Sequence, residues 1–281
     1  MEVIMSYKII GDSCTDLTDE MKREGFASLV PLTLSIEGEE FIDDETFNQK
    51  VFIDKMKASP ECPKSACPSP ERYMKEFEGQ EECYIVTLSG KLSGSYNSAV
   101  LARSMYLEEH PEVKIEVVDS QSASCGQMLI ALKLKELKEN GLAFEEVKEK
   151  IIEFRDNMKT KFVLESLENL RKNGRLTNMT AMICNVLSIK PVMAAKEGEI
   201  IKIDQARGTN KALLRMIDYI VEDAKDVTFK TLGISHCNNR ERAEFVKQEI
   251  LKKVPFKECV IVNTAGVATL YANDGGIIVS Y

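Results

Sequence analysis

Along the first half of the chain, short apolar runs alternate with longer stretches of helical periodicity. Residues 7–11 read as a short buried strand ending at Asp12-Ser13. Thr18 is placed to cap a helix over 19–24, and Gly25 supplies its C-terminal stop. A second apolar stretch spans 28–36, followed by an acidic loop and a helix near 46–58. Ser69-Pro70 opens another helix, since serine caps and proline suits the first turn. Strands are predicted at 83–88 and 115–118. One helix lies between them, reaching Glu109, and another starts near Ser124. Phe144, Val147, Ile151, Phe154 and Met158 then mark one apolar helical face. Such alternation predicts a parallel sheet covered on both faces, a Rossmann-like α/β domain over residues 1–160.

Beyond residue 160 the rhythm changes. Leu164, Leu167 and Leu170 predict a short amphipathic helix ending at Gly174. Runs at 191–195 and 199–204 read as two strands joined through Glu197-Gly198, a hairpin signal. A helix over 210–224, a strand at 229–235, a helix over 239–253 and strands at 260–262 and 277–281 complete the chain. Mixed pairing predicts a second α/β domain over residues 161–281. The two domains meet near 161–178, and junctions of this kind commonly hold ligands.

Composition narrows the function classes. A net charge of −8 over 281 residues argues against nucleic acid as the main partner, because phosphate backbones call for clustered Lys and Arg. The start, MEVIMSYKIIGDS, lacks a basic region followed by a long apolar stretch, so no signal peptide is expected. The most apolar segment, 179–195, is interrupted by Asn185, Ser188, Lys190 and Pro191 and falls short of a membrane span. It reads as a buried element lining a core or a ligand slot. Eight cysteines without a CxxC pair fit idle thiols in a reducing cytoplasm, and neither they nor the two histidines stand at metal-ligand spacing. The expectation is a cytoplasmic protein without a metal or other cofactor.

The candidate chemistry sits at the strand ends. In a parallel sheet the loops leaving one common edge form the binding crevice. Here those loops are Asp12-Ser13, Ser89–Ser95, and Asp119-Ser120 with Ser122 and Ser124. A fourth loop adds Ser65 just ahead of a helix. Hydroxyls donate to an anion without adding charge, Gly94 lets the backbone approach closely, and a helix starting near Ser95 presents free N–H groups. A carboxylate or phosphate suits such a loop. The plainer reading is that these serines and glycines are ordinary caps and turns, and Asp12 and Asp119 likewise.

Taken together, the motifs resemble the DegV family. The family's opening Asp-Ser-x-x-Asp-Leu is matched at 12–17, its Leu-Ser-Gly-Thr-Tyr loop by Leu92-Ser93-Gly94-Ser95-Tyr96, and its Asp-Ser-x-x-x-Ser-x-Gly segment at 119–126. Arg-Lys-x-Gly-Arg stands at 171–175 and Ile-Lys-Pro at 189–191, all in order. Two segments depart from the pattern. The family's Thr-Ser-Gln-Pro-Ser becomes Ser65-Ala66-Cys67-Pro68-Ser69, which keeps the first hydroxyl and loses a side-chain amide. Where the family usually carries His-Thr-Gly-Pro-Gly, Tyr271-Ala272-Asn273-Asp274-Gly275 stands, so Tyr271 replaces a histidine near the ligand head.

The resemblance implies a two-domain bacterial protein that holds a long-chain fatty acid between its domains and presents the carboxylate to a separate fatty-acid kinase. It implies Ser65 and Ser93 as carboxylate donors, with Gly94, Ser95 and Tyr271 in the head-group region. Met179, Met182, Ile183 and Val186 are candidates for the acyl slot, or equally for ordinary core. Arg171, Lys172 and Arg175 are candidates for contact with phosphate or the kinase, or for surface charges at a helix C-terminus. Two rival readings stand beside it. One makes Asp12 and Asp119 metal ligands or acids of a phosphoryl-transfer enzyme; the other is a lipid-sensing module that has lost kinase coupling.

Overall fold

The computed structural model describes residues 7–176 and 188–281. The first half runs β1 (Tyr7–Asp12), α1 (Asp19–Arg23), β2 (Ser28–Val30), β3 (Thr33–Ile36), β4 (Glu39–Ile42), α2 (Gln49–Ala58) and β5 (Lys64–Ala66). It continues with α3 (Pro70–Phe77), β6 (Glu82–Thr87), α4 (Ser95–Glu109), β7 (Lys114–Asp119), α5 (Cys125–Glu139) and α6 (Phe144–Asn157).

Four of these strands pair in parallel in the order β2-β1-β6-β7. The period of two along each strand sends alternate side chains to opposite faces. Ile9, Tyr84 and Val86 pack on Ile130 and Leu134 of α5 and Val147 and Ile151 of α6. Their neighbours Ile10, Cys83 and Ile85 pack on Tyr73 and Phe77 of α3 and Ala99 and Ala102 of α4. All of β6 is buried, as a central strand between two helical layers must be.

The second half runs β8 (Thr160–Val163), α7 (Glu168–Lys172), β9 (Ile189–Lys196), β10 (Glu199–Arg207), α8 (Thr209–Asp223), β11 (Thr231–His236), α9 (Arg240–Leu251), β12 (Glu258–Asn263), α10 (Gly266–Ala272) and β13 (Ile277–Ser280). Its six-stranded sheet has the order β10-β9-β8-β13-β11-β12, with β11 and β12 parallel and the other pairs antiparallel. Val192, Ile234, Ile277 and Val279 face α8 and α9. The opposite face, with Phe162, Met193 and Ile278, turns toward Cys125, Met128 and Leu129 of α5. The two halves therefore stack through one sheet face, as a two-domain α/β arrangement requires.

Several expected elements change shape. The apolar stretch 28–36 splits at Pro31 and Leu32 into β2 and β3, which join different sheets. The acidic loop after it is partly a strand: β4 pairs with β3, and β5 closes a small antiparallel sheet. Only α7, five residues long, forms where a longer amphipathic helix was expected, because Val163 still belongs to β8. Phe229 lies in a short 3-10 turn before β11 and is 85% exposed, rather than opening the strand.

Candidate functional site

The C-terminal ends of β1, β6 and β7 open into three loops, and each holds its shape through a buried polar group. Asp12, fully buried, accepts hydrogen bonds from Leu88 N at 2.7 Å, Cys14 N at 3.2 Å, Ser95 Oγ at 2.6 Å and Gln127 Nε2 at 2.9 Å. Burial pushes its carboxyl up against those four bonds. Asp119 accepts from Gly90 N at 3.1 Å and Gln121 N at 3.0 Å. Both carboxylates thus fasten loops.

Beside these loops lies an apolar cavity. Cys14, Leu88, Leu92 and Ala123 line it from the parallel-sheet side, and Phe162, Ala195, Ile200 and Ile278 from the mixed sheet. Leu170 of α7 and Val267, Ala268, Tyr271 and Ala272 of α10 complete the wall. Its position outside the carboxyl ends of the parallel strands is where open α/β sheets bind ligands.

Besides Gln121, Ser122, Thr160 and Glu199, the wall carries the polar groups of Tyr271 and Arg175. Ser65 Oγ, on β5, lies 3.0 Å from the Tyr271 hydroxyl. The Arg175 guanidinium sits 5.7 Å from the centre of the Tyr271 ring, and its Nε donates to Leu92 O at 3.1 Å. Among the described residues, Arg175 hydrogen-bonds backbone carbonyls only, at Leu92 and Asn173. Burial pushes the Tyr271 phenol up, so it stays a neutral donor at physiological pH. Ser93 Oγ is half-buried on the same loop as Leu92 and accepts from Ser95 N at 3.2 Å. A Cβ on Gly94 would stand 3.0 Å from Cys67 Sγ, so a glycine keeps this loop close to the segment that carries Ser65.

The sequence-predicted residues separate accordingly. Ser65, Tyr271 and Arg175 come together; Ser93 follows Leu92, whose carbonyl Arg175 holds, and Gly94 shapes that loop. Ser95 is turned inward, donating to Asp12 at 2.6 Å and lying 2.7 Å from the Tyr73 hydroxyl, which leaves its oxygen committed within the protein. Arg171 grips Glu168 through two bonds of 2.6 and 3.0 Å, and Lys172 approaches the same carboxylate at 3.6 Å. Those two cations share the one Glu168 carboxylate on α7, apart from Arg175. Met179, Met182, Ile183 and Val186 lie outside the described residues. His236, the last residue of β11, is buried, accepts from Asn239 N at 3.2 Å and is pushed down to about 4 by desolvation, in keeping with a structural role.

Two carboxylates escaped the sequence reading. Asp43 accepts from Gly266 N at 2.6 Å, Val267 N at 2.9 Å and Ser13 Oγ at 2.8 Å. Asp16 accepts from Ala265 N at 2.6 Å and from Ser124 Oγ. Asp43 is hidden in sequence by the acidic run around it; Asp16 stands in the motif at 12–17, where no role is assigned to it.

Residues 6–281 match the family described as "Uncharacterised protein, DegV family". The chain belongs to the DegV family. A DegV domain-containing protein of Streptococcus pneumoniae is 36% identical over 281 residues, covering 99% of both chains. A DegV family protein of Ruminococcus gnavus, in a crystal structure refined with vaccenic acid, has a TM-score of 0.95 at 45% identity over 99% of each chain. The Streptococcus pneumoniae Fatty Acid Kinase (Fak) B3 protein, crystallised loaded with linoleic acid, has a TM-score of 0.89 at 34% identity, again over 99% of each. This DegV chain shares their two-domain α/β fold. Among its described residues, no helix is long and apolar enough to cross a membrane.

Proposed function

We propose that this DegV protein carries a long-chain fatty acid in the cavity between its two sheets. Ser65 and Ser93 hold the carboxylate, with Tyr271 and Arg175 at the same end. The observation that carries this reading is an almost wholly apolar cavity whose wall includes Tyr271 and Arg175, with Ser65 in hydrogen-bond contact with the Tyr271 hydroxyl. Support comes also from relatives crystallised with vaccenic and linoleic acids. Burial is worth about 0.8 kcal/mol per methylene, so some ~14 methylenes contribute on the order of 11 kcal/mol before ordering costs. The tail dominates affinity, and the hydroxyls fix where the head sits.

With the chain divided near residue 160, the acyl slot would lie at the junction of the two units. Presentation of the carboxylate to a fatty-acid kinase in the cytoplasm is the role supported by the Fak B3 likeness. The commitment of Asp12 and Asp119 to loop structure supports a carrier over a catalyst. Organic extraction of the purified protein followed by mass spectrometry tests the reading. One fatty acid per chain is expected; an empty extract, with no uptake of added fatty acid by the protein, would overturn it.

A further inference from the structure

α10 is part of the mixed-sheet half, standing between β12 and β13, yet its start is held by the other half of the chain. Asp43, just after β4, accepts from Gly266 N and Val267 N, and Asp16, in the loop after β1, accepts from Ala265 N. Gln49 of α2 adds bonds to Thr264 O at 2.8 Å and Thr269 Oγ1 at 2.9 Å. The fit at Asp43 is close: a Cβ on Gly266 would lie 2.6 Å from its Oδ1. The same helix carries Val267, Ala268, Tyr271 and Ala272 into the cavity wall. Any separation of the two halves that opens this wall must break these bonds.

We propose that Asp16 and Asp43 are positioning residues for the acyl ligand, clamping α10 and Tyr271 over the cavity and setting how long the ligand stays bound. This rests on the fatty-acid reading above and adds a control over release. Opening the clamp takes both carboxylates from the interior into water. Burial pushes Asp16 up to about 7 and Asp43 up to about 6. The groups facing them are Asp12 and Cys14 from the β1 end, Lys22 on α1, Cys125 on α5 and Cys237 after β11. Lys22 is the cation facing them among the described residues, and the hydrogen bonds from Ser124, Ala265, Val267, Ser13 and Gly266 pull both carboxyls down without cancelling the effect of burial. The closed state holds protons that the open state releases. By linkage, acid favours the clamped form, and release accelerates as pH rises through 6 and 7.

The experiment follows dissociation of cis-parinaric acid from the full chain by stopped-flow fluorescence between pH 5.5 and 8. The wild type is expected to release it at least about threefold faster at pH 8 than at pH 5.5. Asp43→Asn and Asp16→Asn, neutral at every pH, flatten that profile whatever their absolute rates. Asp54→Asn, on the exposed face of α2, keeps the wild-type profile. Titration of the ligand's own carboxylate would appear equally in all four proteins, so the difference between wild type and variants isolates the clamp. Bound ligand with a flat wild-type profile, or a profile that both clamp variants leave unchanged, would overturn the clamp alone. Failure of the wild type to bind cis-parinaric acid or any other long-chain fatty acid would overturn the acyl reading itself.

Discussion

The Ser65 hydroxyl and the Tyr271 phenol oxygen stand 3.0 Å apart, joining the small antiparallel sheet to the end of α10 at the rim of the apolar cavity. Each is a neutral donor, and each can turn toward a carboxylate entering between them. A hydrogen bond to a charged group contributes ~1.5–3 kcal/mol, about tenfold or more in affinity. Tyr271→Phe keeps the ring under Arg175 and removes only the hydroxyl, so fatty-acid affinity should fall roughly tenfold. Ser65→Ala should cost a similar amount. Because the pair share a bond, the double variant should lose less than the sum of the two. Equilibrium titration with a fluorescent fatty acid measures all three, and strict additivity would mean the pair does not act on one carboxylate.

Ser93 and Ser95 flank the same glycine and do different work. Ser93 is half-buried beside Leu92, which lines the cavity; Ser95 is fully buried between Asp12 and Tyr73. Ser93→Ala should weaken fatty-acid binding roughly tenfold while leaving the urea midpoint close to wild type. Ser95→Ala strips a donor from a buried carboxylate and should cost about 2 kcal/mol of stability. Paired urea melts and binding titrations on the two variants would expose the reverse pattern if Ser95 were the head-group ligand.

The legible part of this fold was the part governed by local pattern. The strands of the parallel sheet announce themselves because each β-branched run is buried on both faces and stops at a polar loop, as Tyr84–Val86 does before Thr87 and Ser89. β4 gave no such signal: two of its four residues are exposed glutamates, and it owes its strand form to pairing with β3. β8 was missed because Lys161 interrupts it, and only the fold reveals Asp223 Oδ2 and the Tyr281 hydroxyl, each 2.6 Å from the buried ammonium. At the site, motif order pointed to Ser65, Ser93 and Tyr271. It could not say that Ser95 faces inward, since that depends on where α4 begins. α10 lacks a local cap because its cap is Asp43, more than two hundred residues earlier in the chain.

Arg175 should behave unlike its neighbours in the 171–175 stretch. Its guanidinium stacks on Tyr271 and donates to Leu92 O, whereas Arg171 is paired with Glu168 on the flank of α7. Arg175→Ala should therefore lower fatty-acid retention on a delipidating column, and Arg171→Ala should leave it unchanged. Lysine is a poor replacement at a stacked, directional site, so Arg175→Lys should rescue little. Equal losses from Arg171→Ala and Arg175→Ala would place the function on net charge and not on geometry.

Stability should depend on pH through two opposed sets of buried groups. His236 is pushed down to about 4 by desolvation, against 6.5 when unfolded. Between those values the unfolded chain binds the extra proton, so its contribution is complete above pH 6.5 and is lost as pH falls through 4. Asp16 and Asp43 act in the other direction, holding protons when folded up to about 7 and about 6, against 3.8 when unfolded. Their contribution is complete below pH 3.8 and is lost as pH rises through 6 and 7. His236→Gln should therefore flatten the loss of stability between pH 6.5 and 4, and Asp43→Asn should flatten the loss between about pH 4 and 6. Urea midpoints taken across that range separate the two effects. If Asp43→Asn steepened the fall in stability with rising pH, its carboxylate would have to be favoured by burial in this protein, and the clamp on α10 would run in the opposite sense.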